Sequence, residues 1–173
     1  SKQPLRLPAC NYIRSSSLGN SRDDRPLKFF FIAGLPRSRT AWLANWFTTD
    51  RSCCVHDAWR YVKTAQELRC LLESIAEANP KYEYIGTSDS CNGWFIDELV
   101  KEFPEARFGR VNRDFKESEI STRYWLRDAG LPEPHEGLME RLNMLKRRHN
   151  DKLPADGKHL VVPFHSLEHA SGV

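Results

Sequence analysis

FFFIAGLPRSRTAWLANWF, residues Phe29–Phe47, joins two kinds of pattern. The first half is a short apolar run of strand length, Leu27–Ala33, closed by Gly34. The second half, Thr40–Thr49, carries Trp42, Leu43, Trp46 and Phe47 on one helical face. Between them, Gly34–Thr40 holds two arginines, Arg37 and Arg39, and two hydroxyls, Ser38 and Thr40. A helix start presents unpaired backbone N–H groups and the positive end of the helix dipole, so it attracts anions. Glycine permits a tight turn after the strand. Arginine forks and hydroxyl donors suit phosphate-like oxygens. The segment therefore reads as an anion site at a strand-to-helix turn; the plainer alternative is a simple hydroxyl N-cap beside solvated arginines. The Gly-Lys-Ser/Thr ending of a Walker A loop is missing, which disfavours a standard ATPase or GTPase.

Working outward, strand-like and helix-like stretches alternate. Ser52–Trp59 reads as a strand and loop, Thr64–Asn79 as a helix with Leu68, Leu71, Leu72 and Ile75 on one side, and Lys81–Asp89 as a strand. Gly93–Pro104 reads as a helix stopped by proline, Ala106–Asn112 as a strand, and Phe115–Gly130 as a helix with a glycine C-cap. Pro134–Leu153 reads as a further helix, and Lys158–Leu167 contains a last strand. Residues 1–26 show no clean period and read as an irregular arm; 27–173 read as a single domain. The alternation predicts an α/β fold, a central parallel sheet flanked by helices in three layers. Ligands in such folds sit beyond the C-terminal ends of the strands.

A chain of 173 residues buries a real core without staples. With 26 basic and 23 acidic side chains, the net charge of +3 is too mild to imply nucleic acid. The Lys146-Arg147-Arg148 cluster reads as a solvated helix end. No apolar run approaches the roughly 20 residues needed to cross a bilayer, and the polar N-terminus is unlike a signal peptide. The five cysteines, Cys10, Cys53, Cys54, Cys70 and Cys91, are odd in number and lack CxxC spacing. They suggest neither a disulfide framework nor a zinc site, and so a reducing cytoplasm. Oligomeric state is not legible.

Pro36-Arg37-Ser38-Arg39-Thr40-Ala41-Trp42-Leu43 resembles the 5′-phosphosulfate loop of the P-loop sulfotransferases, Pro-(Lys/Arg)-Ser-Gly-Thr-(Thr/Ser)-(Trp/Leu), with Arg39 where the family has glycine. A second likeness lies in ARFGRVNRDFKESEISTRYW, where Arg113 ends a strand and Ser121 follows eight residues later, as do the family's 3′-phosphate contacts. Arg110 and Ser118 have the same spacing and stand as the alternative pair. Arg113-Asp114 is similar to the tyrosylprotein and carbohydrate branches, and HLVVPFHSLEH resembles a late segment of the family. The resemblance runs from about Lys28 to Leu167 with long unmatched stretches, and lacks an evident glycine-rich late loop.

The resemblance implies a P-loop NTPase-like fold and sulfuryl transfer from 3′-phosphoadenosine 5′-phosphosulfate (PAPS) to a hydroxyl or amine, on a small-molecule, sugar or peptide acceptor, without a metal. Pro36 through Trp42 would hold the donor, with Arg113 and Ser121, and Arg37 would stabilise the leaving phosphate. The base is expected from His56 or Asp57, since the family's base follows its second strand; histidine has the pKa better suited to a base near neutrality. Asp89, after the third strand, is expected to face the acceptor, without the lysine that accompanies it in the tyrosylprotein branch. Two other readings stay open. One is a nucleotide or nucleoside kinase-like phosphotransferase, which would need a loop lysine. The other is a non-catalytic relative that binds a nucleotide or protein, with Trp59, Tyr61 and Trp94 on its partner surface.

Overall fold

The computed structural model describes residues 26–132 and 159–165, with scattered helical positions between 137 and 144. The expected arm lies almost wholly outside the described residues, as does most of the helix expected over 134–153.

Five parallel strands form one sheet in the order β2-β3-β1-β4-β5: β1 Lys28–Gly34, β2 Ser52–His56, β3 Tyr84–Ser88, β4 Arg107–Asn112 and β5 His159–Pro163. Helices α1 Thr40–Phe47, α2 Ala65–Ala78, α3 Ile96–Glu102 and α4 Phe115–Asp128 follow β1 to β4 in turn. The predicted α/β fold is therefore the observed one, with boundaries shifted by a few residues. The chain leaves β1 for the β2 edge, then returns through β3 and crosses to β4 and β5. Parallel crossovers are right-handed, so the reversal after β1 sends α1 to the sheet face opposite α2 and α3.

The two cores agree. Phe31, Ile85 and Phe108 pack with Leu68 and Leu72 of α2 and Leu99 and Phe103 on the α3 side. Ile32 and Val111 pack with Leu43 of α1 and with Phe164, just past β5. Along β1 the alternation of Phe31 and Ile32 between faces is the period of a strand.

Local signals explain the helices. Thr64 accepts the Glu67 amide as an N-cap, and the Glu67 carboxylate accepts the Lys63 amide. Asp114 accepts the amides of Lys116 and Glu117 at the start of α4, which gives way to Gly130 at φ 66°. By contrast, α1 begins with no side-chain cap.

One cysteine reading is corrected. Cys70, on α2, is disulfide-bonded, whereas Cys53, Cys54 and Cys91 are free thiols. Sequence spacing carries no record of which thiols approach in space, so the odd count misled. Disulfides persist in oxidising surroundings, which removes the cysteine argument for a reducing cytoplasm. Among the described residues no helix is long and apolar enough to cross a membrane.

Candidate functional site: the loop at the start of α1

Three non-glycine residues among those described have left-handed backbone: Arg37 (φ 64°), Arg39 (φ 59°) and Asp57 (φ 54°). Each such torsion costs on the order of 1–3 kcal/mol and is kept where surroundings enforce it, often at functional sites. Arg39 stands at the position where the resembling loop has glycine, and it holds the torsion that a glycine would supply freely.

The loop is braced from two sides. The Ser38 amide donates to the Leu35 carbonyl at 3.1 Å. From α4, the Ser118 hydroxyl donates to the Pro36 carbonyl at 2.7 Å, and the Arg113 guanidinium donates to the Arg37 carbonyl. With α1 uncapped, the first intrahelical bond runs from the Leu43 amide to the Arg39 carbonyl. The amides of Thr40, Ala41 and Trp42 precede it at the anion-attracting end of the helix. Ser38 is fully buried, and its hydroxyl has no hydrogen-bond partner among the described residues. A buried unpaired hydroxyl is costly, so the loop keeps a donor in reserve.

Arg39 and Arg113 both lie against the ring of Phe164, their guanidinium carbons 5.7 and 4.2 Å from its centroid. Arg37 lies 5.9 Å from the centroid of Trp125 on α4. Glu117 reaches Arg113 at 3.8 Å and His165 at 3.7 Å. Aromatic faces thus orient three cations around one helix start.

At the end of β2, His56 Nε2 lies 3.2 Å from the Thr40 hydroxyl, and Nδ1 lies 3.4 Å from Asp57. Sheet register places His56 beside Ser88 and Ser88 beside Ile32, so all three share the α1 face. A proton on Nδ1 facing the Asp57 carboxylate leaves Nε2 to accept from Thr40. His56 and Asp57 are each about one-third exposed or more, open enough for a substrate to approach.

Asp89 follows β3. Its amide donates to the Ile32 carbonyl, and its carboxylate accepts the Cys91 amide at 2.8 Å. Burial raises its pKa above the usual carboxylate value, offset in part by bonds from the Cys91 and Trp59 amides, while Asp57 pushes it further up. Cys91 beside it is raised to about 12, by burial first and the Asp89 charge second, which makes it a poor nucleophile.

Most of the residues expected from sequence thus meet in one region. The loop residues Pro36 through Trp42, His56, Asp57 and Asp89 lie at the C-terminal ends of β1, β2 and β3. Arg113 and, on α4, Ser118 touch the loop, and Ser121 further along α4 is half-buried. Asp114 caps α4, which sets Ser118 one turn in, level with Pro36. Arg113 and Ser118 brace the loop together. Asn92, described below, had no signal in sequence, since a lone asparagine after a strand reads as a turn.

No protein-family model matches the chain, and no curated protein matches it. Among solved structures it is similar to a gluconokinase from Sinorhizobium meliloti 1021, with a TM-score of 0.45 and 11% identity over 79% of this chain and 82% of that one. A likeness this distant carries no functional argument.

Proposed function

We propose that the chain binds a nucleotide phosphosulfate at the Gly34–Thr40 loop and transfers its sulfuryl group to a hydroxyl or amine. The observation that carries the reading is the Thr40–His56–Asp57 line at the start of α1, which brings a candidate base within hydrogen-bond reach of an anion loop. Counting a Walker A motif from Gly34 puts Arg39, Thr40 and Ala41 at its Gly, Lys and Ser/Thr positions. Both the phosphate lysine and the magnesium-holding hydroxyl are then absent, which favours metal-independent transfer.

The residues fit a dianionic donor: helix-start amides, the unpartnered Ser38 hydroxyl and the cations Arg37, Arg39 and Arg113. The donor supplies an activated phosphate–sulfate anhydride, whose S–O bond breaks as the acceptor oxygen or nitrogen bonds to sulfur, the electron pair leaving with the phosphate. His56 Nε2 takes the acceptor's proton, and Asp57 steadies the resulting imidazolium. Arg37 offsets charge on the departing phosphate. The Thr40 hydroxyl has one proton to donate. When an anion takes it, Nε2 loses its partner and becomes free to act as the base.

A second reading has one observation in its favour. Asp89 directly follows the strand beside β1, where a P-loop phosphotransferase could use an acidic residue to hold magnesium. Its carboxylate already accepts the Cys91 amide, which weighs against that use. Calorimetric titration with 3′,5′-adenosine bisphosphate, with and without magnesium and against ATP, separates the two. The sulfuryl reading expects metal-independent bisphosphate binding that Arg113→Ala weakens about 10- to 100-fold, as for a lost charged hydrogen bond. Magnesium-dependent preference for ATP would overturn it.

A further inference from the structure

Beneath the opposite side of the site, Asn92 is fully buried and uses its amide in every direction. Its Nδ2 donates to the Ile32 carbonyl at 2.9 Å and to the Thr87 carbonyl at 3.3 Å. Its Oδ1 accepts from the Trp59 indole N–H at 2.8 Å and from the Thr87 hydroxyl at 3.0 Å. These partners belong to β1 two residues before Gly34, to β3 next to Ser88, and to the short 3₁₀ turn Ala58–Arg60 that follows His56 and Asp57.

We propose that Asn92 is the positioning residue that sets His56 against Thr40, acting through Trp59. The chain leaves β2 at His56 on the α1 face and turns at Asp57 in left-handed backbone. It reaches Trp59 packed on the other core, stacked on Phe95 at 4.0 Å between centroids. The Trp59 indole is held by Asn92 at 2.8 Å. A turn pinned at Trp59 and continuous with β2 leaves His56 little freedom. The same asparagine holds β1 just below the loop that carries Thr40. One buried amide therefore fixes both halves of the Thr40–His56 contact in one frame. A well-satisfied buried polar group of this kind enforces a unique geometry.

The kinetic part of the test rests on the transfer reaction proposed above; the spectroscopic part does not. Trp59→Phe keeps an aromatic ring against Phe95 while removing the indole donor together with part of the ring system. The His56 imidazole nitrogens are followed by NMR, assigned with His56→Gln. Trp59→Phe is expected to move the Nε2 resonance in the direction that Thr40→Val moves it, and to add little on top of Thr40→Val. Thr87→Val removes the other donor to the same Oδ1 and serves as the control. It is expected to lower the unfolding midpoint without moving that resonance. If transfer is measurable, Trp59→Phe lowers kcat about 10-fold while bisphosphate affinity stays within about 2-fold, as for a displaced base. An unmoved Nε2 resonance in folded Trp59→Phe, or an equal move in Thr87→Val, overturns the proposal. Moved resonances with no sulfuryl transfer by the unmodified protein would keep the positioning role and remove the reaction.

Discussion

On the face covered by α2 and α3, Phe31, Ile85 and Phe108 meet Leu68, Leu72, Leu99 and Phe103, all nearly or fully removed from solvent. On the α1 face, the same strands offer Ile32 and Val111 to Leu43 and Phe164, and then the packing gives way to Ser38, Ser88, His56 and Thr40. One face is mostly hydrocarbon, and its buried Thr87 and Asn92 are hydrogen-bonded; the other ends in polar groups, two of whose buried hydroxyls, Ser38 and Ser88, have no partner among the described residues. The difference is a division of labour. Apolar burial on the first face supplies stability, and that stability tolerates left-handed arginines and unpaired donors on the second.

Substitutions break this comparison most sharply where the burial is deepest. Leu72→Ala opens a cavity at a fully buried position of α2 and is expected to cost about 2–5 kcal/mol in urea unfolding. Its folded fraction should bind bisphosphate as before; lost affinity would mean the two faces are not separable. Phe164→Leu keeps a hydrophobic plug on the α1 face but removes the ring that Arg39 and Arg113 share. At about 0.5–1 kcal/mol for each contact, anion affinity should fall several-fold in calorimetry with little change in unfolding midpoint. The reverse pattern would make Phe164 a core residue only.

Asp89 links the faces through pH. Burial raises its pKa in the folded protein above the ordinary 3.8. The folded state therefore keeps the proton to higher pH than the unfolded chain does. Stability is free of this penalty below the ordinary value and is lost as pH rises through the folded pKa. Asp89→Asn is expected to unfold at higher urea than the unsubstituted protein at pH 7, with the gap closing on acidification. A gap that persists at low pH would mean that the carboxylate's hydrogen bonds outweigh its burial. The smallest effect concerns no interaction energy. In denatured, unreduced protein Cys53, Cys54 and Cys91 should be alkylated, and Cys70 only after reduction, as peptide mapping would show.

The strand-to-helix turn at Gly34–Thr40 and the alternation of elements were legible in the sequence because both are local. A strand reads as an apolar run, a helix as a stripe, and a cap as one side chain near its own amides. Phe29–Phe47 alone placed β1, the loop and α1 nearly to the residue. Three features escaped: the Ser118 bond to the loop, the four-way bonding of Asn92, and the pairing of Cys70. Each depends on which distant backbone a side chain meets. Ser118 meets Pro36 only because β4 lies beside β1, and Asn92 meets Trp59 only because β3 lies between β1 and β2. The sequence by itself determined the strands, the helices and the charge at the start of α1, through short-range hydrogen bonding and periodic burial. Strand order decided the rest, because it brings residues far apart in sequence within hydrogen-bond distance.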